Sequence, residues 1–256
     1  MRQYITVILS STKTSLIQAW SLYKKSLKQV WWLSLLMVVM IEQVNVLYKI
    51  VLLPYVADLT KPLLVIAWLL LPLLLTTMIG VFLYSLMFQR ASLVAYDQRM
   101  AWGRSVKLIR RRFSALVFAQ ILYALFTFGT AYFFIPLGVF LGILFILSIP
   151  LMIIDDNSPM ESFQRSYELV WGRWWQTFAV ILVPMLLHIV ISLSTYAGSV
   201  HASKIFGPEM ELLGKSIITL FYISSETLLL PFVVMVVLVQ FRLLKSGAKK
   251  TAYRAI

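Results

Sequence analysis

The chain contains no cysteine, which rules out disulfides, thiolate nucleophiles and cysteine-bearing metal sites. Its two histidines, His188 and His201, are too few and too far apart for a metal-binding motif. Charge is scarce as well. Only 13% of the 256 residues are Asp, Glu, Lys or Arg, against roughly 25% in a soluble domain. No P-loop, G-x-S-x-G, H-E-x-x-H or dinucleotide fingerprint occurs, and no soluble stretch is large enough to house one. Neither enzymatic activity nor a cofactor is expected. The apolar run at 4–9 is short and lacks an A-x-A site, so no cleavable signal peptide is expected.

Apolar residues fill the chain instead. They make up 61% of it, and the mean hydropathy is +0.87. They fall in long runs, each able to cross a hydrocarbon core that needs about 20 helical residues. The expected class is an all-α membrane protein with six transmembrane helices, at about 30–55, 62–88, 113–134, 135–154, 174–195 and 216–241. The fourth holds Gly138-x-x-x-Gly142, a candidate close-packing face.

A net charge of +13 would suggest nucleic acid in a soluble protein; here its placement points to a membrane surface, and no nucleic-acid partner is expected. Of the 23 Lys and Arg, 19 lie before the first span, between spans two and three, between four and five, or after the sixth. The positive-inside rule then puts both termini in the cytoplasm.

The stretch 153–176 interrupts two apolar runs and carries its own helix start. Ser158 suits an N-cap, Pro159 the first helical position, and Glu161 completes a capping box. Phe163, Tyr167, Val170 and Trp174 follow at helical spacing, so a short amphipathic helix on the membrane surface feeds the next span. The pattern recurs with Asp97, Trp102, Val106, Ile109 and Phe113, and again with Ser11, Leu16, Trp20, Tyr23 and Leu27. Three repeats are therefore expected, at approximately 11–89, 97–154 and 158–241, each a cytoplasmic surface helix plus two spans, with a basic cytoplasmic tail at 242–256.

Two sets of residues are candidates for function. The first lies inside spans: Glu42, Asn45, His188, Ser225 and Glu226. At 1.5 Å per residue, Glu42, His188 and Glu226 come out roughly 18, 21 and 24 Å from the cytoplasmic ends of their helices. Ionisable groups at that depth are costly and usually face the bundle interior or a wet cavity. A proton or substrate site and simple interhelical hydrogen bonding both account for them. The second set is cationic and interfacial: Arg104, Lys107, Arg110, Arg111, Arg112, Arg165 and Arg173. These would meet anionic phospholipid headgroups or only set topology. Arg165 is also expected to pair with Asp155 or Asp156 across repeats.

The segment PLMIIDDNSPMESFQRSYELVWGRWW resembles the stretch that characterises YciC-like bacterial inner-membrane proteins. A related pattern occurs in the membrane domain attached to some glycerophosphodiester phosphodiesterases. Ser162, Arg165, Ser166, Leu169 and Gly172 match its S-x-x-R-S-x-x-L-x-x-G form. The resemblance implies a cytoplasmic (inner) membrane protein tied to envelope or lipid homeostasis. The phosphodiesterase barrel has no counterpart here, so that activity is not implied. The expected function is non-enzymatic, contacting lipid or organising other inner-membrane proteins. The alternative is a small transporter or lipid flippase using the midplane carboxylates. Repeats that all enter from one side differ from the inverted repeats of many transporters.

Overall fold

A computed structural model describes residues 2–47 and 62–254, and these residues form helices and turns with no strand among them. The helices are α1 (Arg2–Leu47), α2 (Pro62–Ala95), α3 (Trp102–Arg111), α4 (Phe113–Ala124), α5 (Thr130–Phe133), α6 (Ile135–Leu144), α7 (Ser148–Ile154), α8 (Pro159–Val170), α9 (Trp174–Val200), α10 (Ala202–Phe206) and α11 (Glu211–Arg254). Six stretches among the described residues are long and apolar enough to cross a membrane: Ile8–Val44, Leu74–Ala95, Phe113–Phe133, Ile135–Ile154, Pro159–Val200 and Glu211–Gly247. The expected end of the first span and the loop at 56–61 lie outside the described residues.

Burial alternates along the chain. In the most apolar 18 residues of the second, fourth and sixth stretches, 61% are buried; in the first, third and fifth the shares are 22%, 11% and 17%. The even stretches therefore make the core, through side chains such as Met87, Phe88, Leu144, Leu147, Met152, Met235, Leu238 and Phe241. The odd stretches turn Phe118, Ile121, Leu125, Leu186, Val190 and Leu193 outward, which costs nothing against lipid tails as apolar as the side chains themselves.

The three expected surface helices fare differently. Ser158 caps α8 as anticipated: the Glu161 N–H donates to its hydroxyl at 3.4 Å, and Pro159 takes the first position. The return half of the capping box is not made, because Glu161 pairs with Arg165 at 2.8 Å instead. Asp97 caps nothing. It has φ 51° just after α2, and α3 begins five residues beyond it, after Ala101. Ser11 lies inside α1, where its carbonyl accepts from the Ser15 hydroxyl at 3.0 Å. The separate helix expected at 1–29 is thus the first part of one 46-residue helix. No Gly or Pro interrupts residues 2–47, so nothing ends the hydrogen-bond ladder at the predicted junction. The rod is about 69 Å long, more than twice a hydrocarbon core of about 30 Å. The expected tail behaves alike: residues 242–254 continue α11.

The fourth span is broken. A turn at 145–147 separates α6 from α7. Pro150 has no N–H to give to the carbonyl four residues back, but in the first turn of α7 that group is not needed. Ser166 on α8 closes the gap. Its hydroxyl donates to the Leu144 carbonyl at 2.6 Å and accepts the Leu147 N–H at 3.2 Å. Phe163, one turn away on the same helix, packs edge-on against Phe145 and Phe126. The helix α8 is therefore wedged against the break.

The acidic turn before α8 is held from two sides. Lys245 of α11 pairs with Asp155 at 2.5 Å. Arg112, between α3 and α4, pairs with Asp156 and donates to the Met152 carbonyl at 2.6 Å. The expected partner, Arg165, is one turn from Glu161 on its own helix and is taken there.

Candidate functional site

Two of the five intramembrane candidates meet. His188 lies about 21 Å along α9 from Trp174, and Glu226 about 22 Å along α11 from Glu211. The two helices pack side by side. His188 Nδ1 stands 2.8 Å from Glu226 Oε1. The pair is lopsided: Glu226 is 5% exposed, whereas the His188 side chain is 53% exposed. The carboxyl is thus inside the bundle and the imidazole reaches in from its outer face. With one shared proton, such a pair carries no net charge whichever group holds it, which is the condition an apolar interior imposes on buried ionisable groups.

Glu42, on α1, is half-buried and joins no ion pair among the described residues. Tyr222, one turn from Glu226 on α11, escaped the sequence reading. Helical spacing from Glu226 was the signal that could have found it. Ser225 points elsewhere, into an apolar groove between α1, α9 and α11 with Leu16, Trp20, Val183, Leu187 and Phe232. The side chain of Asn45 lies outside the described residues.

His188→Leu strands a buried carboxyl. It should lower the thermal stability of the detergent-solubilised protein by about 1–3 kcal/mol, the cost of an unpartnered buried polar group. His188→Leu with Glu226→Leu together should recover most of that loss. A double-mutant cycle on melting temperature measures it, and a zero coupling energy would refute the pairing.

The cationic candidates also divide. α3 buries Ser105 and Ile109, spaced i, i+4, and leaves Arg104, Lys107, Arg110 and Arg111 exposed. None of these four joins an ion pair among the described residues. Arg90 anchors that helix from below. It is 8% exposed, donates to the Met100 carbonyl at 2.7 Å and to Gln29 Oε1 at 3.3 Å, and sits 4.1 Å from the Trp102 ring centre. The sequence reading missed Arg90, counting it only toward topology. Arg112 and Arg165 are committed to Asp156 and Glu161. Arg173 lies against Gly247 and lines a small polar recess with Ser10, Ser11, Thr14 and Gln176. Gln176 donates to the Ser11 hydroxyl there, which ties α9 to α1.

A mostly apolar space carrying a few polar groups is separate from both sets. It has a volume of about 530 Å³ and lies between α1, α2, α4, the α6–α7 break and α11. Glu42, His188 and Glu226 do not line it. No protein-family model, curated protein or solved structure matches the chain.

Proposed function

We propose that the protein is a non-enzymatic, multi-pass component of the bacterial cytoplasmic (inner) membrane that gathers anionic phospholipid headgroups at its cytoplasmic face. Both termini lie on that side, and the role is in envelope or lipid homeostasis or in organising other inner-membrane proteins, as the YciC-like resemblance implies. The observation that carries the reading is the outer face of α3, with Arg104, Lys107, Arg110 and Arg111 exposed beside Trp102 and Trp32. Exposed cations at a membrane surface each favour anionic lipid by about 1 kcal/mol, and tryptophans mark the interface. The three-repeat organisation belongs to the same proposal. It is supported by the alternation of outer and inner stretches; the uninterrupted α1 and the single working cap at Ser158 require that the first copy has lost its break.

Changing the four α3 cations together to Gln should lower the preference for phosphatidylglycerol over phosphatidylcholine by one to three orders of magnitude, on a scale of about 1 kcal/mol per residue. The measurement is quenching of tryptophan fluorescence by labelled lipids in mixed vesicles. An unchanged preference would end this reading.

The second reading, a small transporter or lipid flippase using the midplane carboxylates, is favoured by the His188–Glu226 pair alone. Its test is lipid scrambling or proton uptake in proteoliposomes. Activity lost in Glu226→Gln would move the assignment to transport.

A further inference from the structure

The central cavity presents hydrogen-bonding groups that the protein itself does not use. Ser85 is fully buried, and its hydroxyl has no partner. The Tyr84 hydroxyl, the Gln120 amide and the Ser148 hydroxyl line the same space, and none of them takes part in a hydrogen bond among the described residues. The Tyr123 hydroxyl, which donates to the Gly142 carbonyl at 3.2 Å, also lines it. These groups come from α2, α4 and α7, three separate elements converging on one point. Thr76, Thr77, Gly80 and apolar side chains such as Met37, Val81 and Val237 supply the rest of the wall. Buried polar groups without partners are expensive, and most of all inside a membrane. Ser85 is such a group, and with Tyr84, Gln120 and Ser148 beside it the space offers several polar groups to an occupant.

The chemistry of the lining limits that occupant. Among the described residues, no Asp, Glu, Lys, Arg or His lines the cavity, so a charged ligand would be buried without a counter-charge. Hydroxyls and a carboxamide both donate and accept, which suits alcohol and ester oxygens. The apolar remainder suits hydrocarbon. The volume of about 530 Å³ lies within the range of roughly 300–1,000 Å³ typical of small-molecule sites.

We propose that the cavity between α1, α2, α4, the α6–α7 break and α11 binds an uncharged lipid whose head carries hydroxyl or ester oxygens, the class to which diacylglycerol belongs. This site is independent of the cationic face of α3 and stands or falls apart from it.

The test uses the purified full chain in detergent, with dioleoylglycerol, dioleoylphosphatidylglycerol and hexadecane as probes, and reads bound lipid by native mass spectrometry. Wild type should retain dioleoylglycerol at least tenfold better than either of the others. Two variants interrogate the site differently. Ser85→Ala with Gln120→Leu removes two polar contacts and should weaken dioleoylglycerol binding at least tenfold. Gly80→Leu fills the space: a Cβ at Gly80 meets only the Met37 methyl, at an ordinary 3.7 Å, so the larger side chain enters the cavity. It should abolish binding. Helicity and a single elution peak establish folding; if Gly80→Leu fails them, the double variant decides. Equal retention of the three probes, no retention of dioleoylglycerol by wild type, or undiminished binding in the folded variants would overturn the proposal and leave the cavity to water.

Discussion

Gly138→Leu should leave almost no folded protein in detergent, and even Gly138→Ala should lower the melting temperature measurably. A Cβ at this position would stand 2.4 Å from the Ala131 Cβ, 2.5 Å from the Thr127 carbonyl oxygen and 2.7 Å from the Ala131 Cα. Two of those three atoms are backbone, so rotamer changes cannot relieve the clash. The α4–α5 and α6 arms of the hairpin, joined through Phe134, would have to separate. Overpacking of a tight core costs about 1–3 kcal/mol and more when backbone must move. Gly142 is the milder site: its nearest neighbour, at 3.0 Å, is the Thr127 methyl, which a rotation can shift. Gly103→Ala supplies the contrast. Nothing lies within 4 Å of that position, so alanine should stabilise α3 by about 0.5–1 kcal/mol. Melting curves for the three variants in one detergent check the ranking; a Gly138→Ala protein as stable as wild type would show that the hairpin is not this close.

Ser166→Ala should cost about 2–4 kcal/mol, a large part of a total stability of about 5–15 kcal/mol. The hydroxyl it deletes links the two sides of the α6–α7 break. Its loss strands the Leu144 carbonyl and the Leu147 N–H together, and Ser166 is fully buried, so bulk water cannot replace it. Ser162→Ala is the control. Ser162 is equally buried, but its hydroxyl bonds only to the Pro159 carbonyl of its own helix, at 2.6 Å, and its loss should cost about 1 kcal/mol or less. Chemical denaturation monitored by tryptophan fluorescence separates the two. Equal costs for both serines would mean that α8 does not hold the break.

These two sites mark how far the sequence could be read. Gly138-x-x-x-Gly142 was visible as a close-packing motif, though not its partner, Ala131 and Thr127 of the preceding span. Ser166 belonged to the S-x-x-R-S pattern, but nothing near it announced that it would bridge a gap some 20 residues earlier. The gap itself was hidden, because Pro150 within an apolar run reads equally well as a kink or as the first turn of a new helix. The Ser158 cap was legible, since caps are local and involve only neighbours in the chain. Asp97 and Ser11 show the limit of that argument. A capping residue works only where the helix actually begins, and α1 had no breaker to make it begin there. The depth arithmetic gave Glu42, His188 and Glu226 comparable depths; in the structure His188 and Glu226 stand 2.8 Å apart. It could not tell that Asp155 and Asp156 would be claimed by Lys245 and Arg112 rather than Arg165.

Composition and run length alone determined that the protein is helical and that six stretches suit a bilayer, because a backbone in hydrocarbon must satisfy every N–H and C=O within its own segment. Only the tertiary structure decided which stretches form the core, which polar groups face one another and where an unfilled space remains. A side chain turned to lipid and one turned to a neighbouring helix are both apolar. The hydrophobic pattern that separates inside from outside in a soluble protein is therefore silent here, and only packing distinguishes them.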